Sequence, residues 1–154
     1  MAWPDEAACA ATARALAQHE GLADAYIELH GTLGAGKTTF VRHLLHALGV
    51  KGRVKSPTYT VMEPYELSTF NTTFNVGHFD FYRFDDAQEW EDAGFRDVFA
   101  APGLKLAEWP EKAADLLPVP DLRIHIDIGN HSTDGDTRQV RFEACTARGV
   151  ALLP

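Results

Sequence analysis

Long apolar runs are missing from this chain: no stretch approaches the roughly 18 residues needed to span a bilayer, so a membrane-crossing role is not expected. The opening Met1-Ala2-Trp3-Pro4-Asp5-Glu6 also lacks the basic n-region and apolar core of a secretory signal. Cysteine is scarce. Cys9 and Cys145 stand far apart with no second thiol near either, which excludes a redox pair or a zinc motif and points to a reducing compartment without disulfides. The expected location is the cytoplasm. Positive charge is in deficit as well, with 14 Lys and Arg against 22 Asp and Glu for a formal net charge of -8. A general nucleic-acid coat needs clustered cations to neutralise phosphates, so any contact with RNA is expected to be indirect.

Hydrophobic residues make up 45% and charged residues 23% of the 154, with no repeat or low-complexity tract, which fits one domain over residues 1–154. Pro4 followed by Asp5 and Glu6 reads as a helix start, the helix running to about His19 with Gly21 as its stop. Tyr26 to His30 reads as a short strand leading into a glycine-rich loop. From Thr38 to Leu48, apolar Phe40, Val41, Leu44, Leu45 and Leu48 recur at helical spacing, and Gly49 closes the element. Thr58 to Tyr65 and Phe74 to Phe81 read as an antiparallel hairpin with an unusually long turn, Glu66 to Asn75. Asp85 with Gln88 forms a capping-box pattern for a short helix ending near Gly94. Leu104 to Glu108 reads as a buried strand, Pro110 to Pro118 as a short helix, and Leu122 to Ile128 and Val140 to Ala144 as closing strands joined by a polar turn. The expected fold is α/β, a single P-loop NTPase domain with a central mixed sheet flanked by helices. Asn71-Thr72-Thr73 matches a glycosylation sequon, which has no meaning in a cytoplasmic chain.

The chemistry concentrates in Gly31-Thr32-Leu33-Gly34-Ala35-Gly36-Lys37-Thr38, which fits the phosphate-binding pattern G-x-x-x-x-G-K-[ST]. Gly31, Gly34, Ala35 and Gly36 let consecutive N–H groups turn inward toward phosphate oxygens, and the following helix adds the positive end of its dipole. Lys37 supplies a charge for the β and γ phosphates of a nucleotide. The Thr38 hydroxyl suits magnesium, which prefers oxygen ligands, and Thr39 adds a phosphate hydrogen bond. The plain alternative is a glycine-rich surface loop, which would match by chance on the order of one chain in a hundred of this length, taking glycine at about 7% of residues. The preceding strand and following helix weigh further against it.

Beside this loop stand Ser56-Pro57-Thr58-Tyr59-Thr60, His78-Phe79-Asp80-Phe81-Tyr82-Arg83 and Glu108-Trp109-Pro110-Glu111. In order and spacing the chain resembles the TsaE (YjeE) family of bacterial ATPases over nearly its whole length. That resemblance implies ATP hydrolysis with Mg2+ in support of threonylcarbamoyl modification of adenosine 37 in tRNAs reading codons that begin with A. It also implies TsaD and TsaB as protein partners. Thr32 departs from the acid usual in the family, at a position that contributes only backbone to the cradle.

Read from the residues, Glu108 ends a strand expected beside the one feeding the loop, where it can hold the metal with Thr38; the alternative is an acid capping the helix at Pro110. Asp80, between Phe79 and Phe81, faces the site or solvent, either orienting the attacking water or pairing with Arg83. Ser56 and Thr58 stand where the first switch of a GTPase would, or merely begin a strand. The family motif adds Tyr82 and Arg83 to this switch or partner surface. Arg138, in the turn before the last strand, matches a family arginine and either packs on the adenine face or is an ordinary solvated arginine. Trp109 is either a partner contact or a core residue. His43 and His46, on one helix without a third ligand, read as solvated. Two rival functions share the cradle: a small-molecule kinase, and a binding module in which ATP is only a switch.

Overall fold

The computed structural model describes residues 1–69, 72–129 and 137–154. In chain order the elements are β1 (Ala2–Trp3), α1 (Glu6–Ala17), a 3₁₀ turn (Glu20–Asp24), β2 (Tyr26–His30), α2 (Lys37–Ala47), β3 (Met62–Thr69), β4 (Thr72–Asp80), α3 (Ala87–Ala93) and α4 (Phe95–Ala100). There follow β5 (Leu104–Glu108), a second 3₁₀ turn (Pro110–Ala113), β6 (Leu122–Ile128), β7 (Arg138–Ala144) and α5 (Ala147–Ala151). The strands form one seven-stranded mixed sheet in the order β1-β7-β6-β2-β5-β4-β3. Parallel pairing joins β6, β2, β5 and β4, and antiparallel strands close both sides. Among the described residues no helix is long and apolar enough to cross a membrane.

Alternation along the strands splits the core in two. Ile27 and Leu29, with Leu104, Leu106, Leu122 and Ile124, turn toward α1 and α2 and meet Phe40, Val41, Leu44 and Leu45. Phe79, Phe81 and Ala107 turn the other way and pack with Phe84, Trp90 and Phe95. The Phe79 ring stacks on Phe81 at 5.6 Å and meets Phe95 edge-on at 5.3 Å. Complete burial of each such ring contributes roughly 1.5–3 kcal/mol. Gly77 makes room for this cluster, since a Cβ there would lie 2.9 Å from the Phe79 ring.

Several sequence expectations are corrected here. The stretch expected as a long turn is largely ladder: Glu66 pairs with Asn75, Leu67 with Phe74 and Ser68 with Thr73, so polar residues that resemble a loop continue the pairing at the sheet edge. Its first strand begins at Met62, because Val61 adopts a left-handed φ of 66° that ends the extended backbone. The cap of α3 is Asp86, which accepts from the N–H groups of Gln88 and Glu89, not Asp85. Pro4 precedes the α1 cap, Asp5, whose carboxylate accepts from the Ala8 N–H. Gly21 lies inside the first 3₁₀ turn, and the Pro110 helix is the second, ending at Ala113. Arg138 opens β7 rather than preceding it. The sequon residue Asn71 and most of the turn between the last two strands lie outside the described residues.

Candidate functional site

Three parallel strands end side by side, and the residues singled out in the sequence lie at those carboxyl ends, where open α/β sheets gather ligands. Leu29 is level with Glu108, and Glu108 with Asp80. β2 runs directly into the loop 31–36, which turns back into α2. A Cβ at Gly31 would collide with the carbonyl oxygen of Ile126, so only glycine allows the loop to leave the sheet so close to β6. Gly36 caps α2 at φ 109°, a conformation that side chains other than glycine rarely adopt.

Around the loop lies a cleft of about 330 Å³ lined by Leu33 through Thr39, Ser56, Thr58, Asp80, Tyr82, Glu108 and Trp109. Lys37 is buried: its Nζ donates to the Gly31 carbonyl and lies 3.4 Å from the centre of the Trp109 ring. Burial draws its pKa below the ordinary lysine value, against the opposing pull of Glu108, Glu111 and Asp80. Trp109 is half-buried, held at a left-handed φ of 55° and packed on Tyr82 at 4.9 Å. It therefore lines the cleft while packing against the second core cluster.

Glu108 is 2% exposed, and its oxygens are divided between two partners. The Thr38 hydroxyl donates to Oε1 at 2.7 Å, and His78 Nε2 lies 2.6 Å from Oε2. Asp80 is also buried. Its Oδ1 accepts from the Tyr82 N–H at 2.9 Å and its Oδ2 from the Thr58 hydroxyl at 3.1 Å. A carboxylate only accepts, so the Thr58 proton points to Asp80 and Ser56 must donate across the 2.9 Å to Thr58. Arg83 lies over the Tyr59 ring at 4.9 Å, and among the described residues no Asp80–Arg83 pair forms. The segment carrying Ser56 and Thr58 ends at Val61, whose left-handed backbone is costly for a β-branched residue. Thr38 and Glu108 bring a hydroxyl and a carboxylate together at the head of α2, oxygen ligands of the kind a hard divalent cation prefers, with Asp80 level with Glu108 on the next strand.

A second hollow, about 340 Å³, adjoins the other side of the loop. Trp3, Asp5, Glu6, Cys9, Gly34, Ala35, Gly36, Thr39 and Arg138 line it. Arg138 Nε donates to the Ala35 carbonyl at 3.0 Å, which ties β7 to the loop and removes the solvated alternative. Trp3 stacks on Phe40 of α2 at 5.5 Å. The N-terminal contribution of Trp3, Asp5, Glu6 and Cys9 escaped sequence reasoning, because these residues carry no motif and reach the loop only through tertiary packing. His43 and His46 lie at the surface, as expected, one contacting Glu6 at 2.9 Å and the other the Gly52 carbonyl at 2.8 Å.

Also unforeseen is a polar network on the opposite sheet face, just before the loop. Glu28 accepts from the Tyr26 hydroxyl at 2.8 Å and Arg123 Nε at 3.2 Å, with His30 Nε2 at 2.9 Å. Burial raises the Glu28 pKa, but these partners outweigh it and hold the carboxyl below its ordinary range. His30 stacks on His125 at 4.9 Å, and His125 contacts Glu143 at 2.9 Å. The alternation Tyr26, Glu28, His30 is the one sequence signal that places them on a shared face.

Comparison with known proteins agrees with the motif pattern. The family model for "Threonylcarbamoyl adenosine biosynthesis protein TsaE" matches residues 3–140. A Haemophilus influenzae protein named tRNA threonylcarbamoyladenosine biosynthesis protein TsaE is 44% identical over 127 residues, 82% of this chain and 75% of that one. The Aquifex aeolicus protein of that name is 41% identical over 116 residues, covering 74% and 73%. The crystal structure of Bacillus subtilis YdiB superposes with a TM-score of 0.72 at 26% identity, covering 99% of this chain and 88% of that one.

Proposed function

The chain belongs to the TsaE family, and on that premise we propose that it binds ATP with magnesium at the glycine-rich loop and hydrolyses it to ADP and phosphate. The hydrolysis serves threonylcarbamoyl modification of adenosine 37 in tRNAs reading codons that begin with A, with TsaD and TsaB as partners and tRNA handled through them. The observation that carries the chemical part is the 2.7 Å contact between Thr38 and Glu108 at the head of α2, with Asp80 level with Glu108 on the next strand.

In this reading Gly34, Ala35, Gly36 and Thr39 surround the phosphates with N–H groups and Lys37 adds its charge. Thr38 and Glu108 would hold a magnesium ion, which when bound would supply positive charge beside the phosphates. Asp80, oriented by two donors, positions the attacking water. The hollow beside Trp3 and Arg138 receives the base.

Turnover by the isolated chain is expected to be slow. Among the described residues the cleft lining offers Lys37 as its one cation, and in phosphoryl transfer an arginine or switch set by a partner changes rates by about 10³ to 10⁵. The Ser56 to Val61 segment, which ends on the left-handed Val61, and the exposed Tyr59 and Tyr82 are where a partner would set it. The test is steady-state phosphate release at saturating MgATP, for the chain alone and with TsaD and TsaB, with Lys37→Ala as the blank. A rise on adding the partners supports the proposal; equal rates overturn the partner dependence. The absence of phosphate release in either mixture, despite ATP binding, would favour the nucleotide-gated binding module.

A further inference from the structure

We infer that His78 is a positioning residue for the magnesium site: it fixes the orientation of the Glu108 carboxylate through Nε2–H and leaves Glu108 Oε1 to serve the metal with Thr38. The inference rests on the MgATP reading above and assigns a task to a side chain that reading does not use.

The argument begins with burial. His78 is fully buried and Glu108 nearly so, on adjacent parallel strands. Val76, His78 and Asp80 alternate onto one sheet face, as do Leu104, Leu106 and Glu108, and α2 packs on that face. A carboxylate withdrawn from water requires donors, and Glu108 has one for each oxygen. The two are not equivalent. Thr38 sits at the edge of the cleft, where its hydroxyl can exchange Glu108 for a metal ion. His78 Nε2 approaches from within the core, where no ligand enters.

His78 Nδ1 supplies the second observation, being the buried side-chain nitrogen that has no hydrogen-bond partner among the described residues. Two tautomers are available to a neutral imidazole. With the proton on Nδ1, a buried N–H would go unmet and two lone-pair atoms, Nε2 and Oε2, would face each other at 2.6 Å. With the proton on Nε2, the short contact is a charge-assisted hydrogen bond and only a lone pair at Nδ1 lacks a partner. The geometry therefore selects the Nε2–H tautomer. A histidine needed only to fill the core would be replaceable by leucine or phenylalanine; here either would strip Glu108 Oε2 of its donor. Groups that orient metal-binding carboxylates and imidazoles from behind typically contribute about 10- to 100-fold to metal affinity.

The test compares wild type with His78→Asn and His78→Gln, titrating a fluorescent ATP analogue in Mg2+ and in EDTA. The glutamine amide nitrogen reaches to the Nε2 position, whereas that of asparagine stops near Nδ1. Expected is an Mg2+-dependent gain in affinity that falls about 10- to 100-fold in His78→Asn and largely returns in His78→Gln, with the EDTA affinity unchanged in both. Folded His78→Asn with the full Mg2+ gain overturns the inference alone, as does an equal loss in Mg2+ and EDTA. A wild type that gains nothing from Mg2+ overturns the MgATP reading together with it. Should both variants fail to fold, ¹H–¹⁵N correlation of the wild-type histidines decides: a proton on His78 Nε2 supports the inference, and an Nε2 without one overturns it.

Discussion

Lys37 brings opposing forces to one atom. Its ammonium has left water, which lowers its pKa, yet it keeps the Gly31 carbonyl, the Trp109 ring and the field of Glu108, Glu111 and Asp80. Of these contacts only the Trp109 ring borders the apolar core. Lys37→Ala is therefore expected to abolish tight ATP binding with little change in the thermal melting curve, as isothermal titration and circular dichroism would check; unchanged affinity in a folded variant would sink the phosphate-loop reading. The two carboxylates divide by neighbours. Glu108 touches Thr38, whereas Asp80 touches Thr58 and the backbone of Tyr82. Glu108→Gln should weaken Mg2+-dependent nucleotide binding, and Asp80→Asn should chiefly lower turnover. Equal losses of affinity would refute that division.

Among the elements, those with strong local signals were readable from sequence, and those dependent on distant partners were not. The strand, loop and helix from Tyr26 to Leu48 follow from alternation, glycine spacing and an apolar helical stripe. By contrast β1 is only two residues long and exists because Ala2 and Trp3 pair with Gln139 and Arg138. Helix α4 continues beyond Gly94 because that glycine, at φ 69°, serves as both C-cap of α3 and N-cap of α4. The candidate site divides the same way: loop and acids were legible as motifs, whereas the His78 contact and the Trp3 wall needed the sheet to bring them together. Asp86, two residues into a run that reads equally well as a cap at Asp85, offers an element-scale check. Asp86→Ala should cost about 1 kcal/mol of stability in urea unfolding, and Asp85→Ala clearly less.

At the scale of the whole molecule the sheet has two free edges of unequal length, and the longer carries a safeguard. β3 is an eight-residue outer strand, long enough to template a strand from another copy. The Asp80 N–H donates to the Val61 carbonyl, which makes that pair hydrogen-bonded; by alternation along the ladder, Pro64 opposite Gly77 is in a pair that is not. The Pro64 nitrogen thus faces outward at the middle of the open edge, where it has no hydrogen to offer. Exposed Glu66 places a negative charge beside it. Pro64→Thr should leave the nucleotide cleft untouched while restoring an uninterrupted row of outward donors, and light scattering during concentration would show earlier self-association than in the wild type. One ring closed on its own backbone nitrogen thereby bears on how crowded a solution this protein can tolerate before its copies begin to share a sheet.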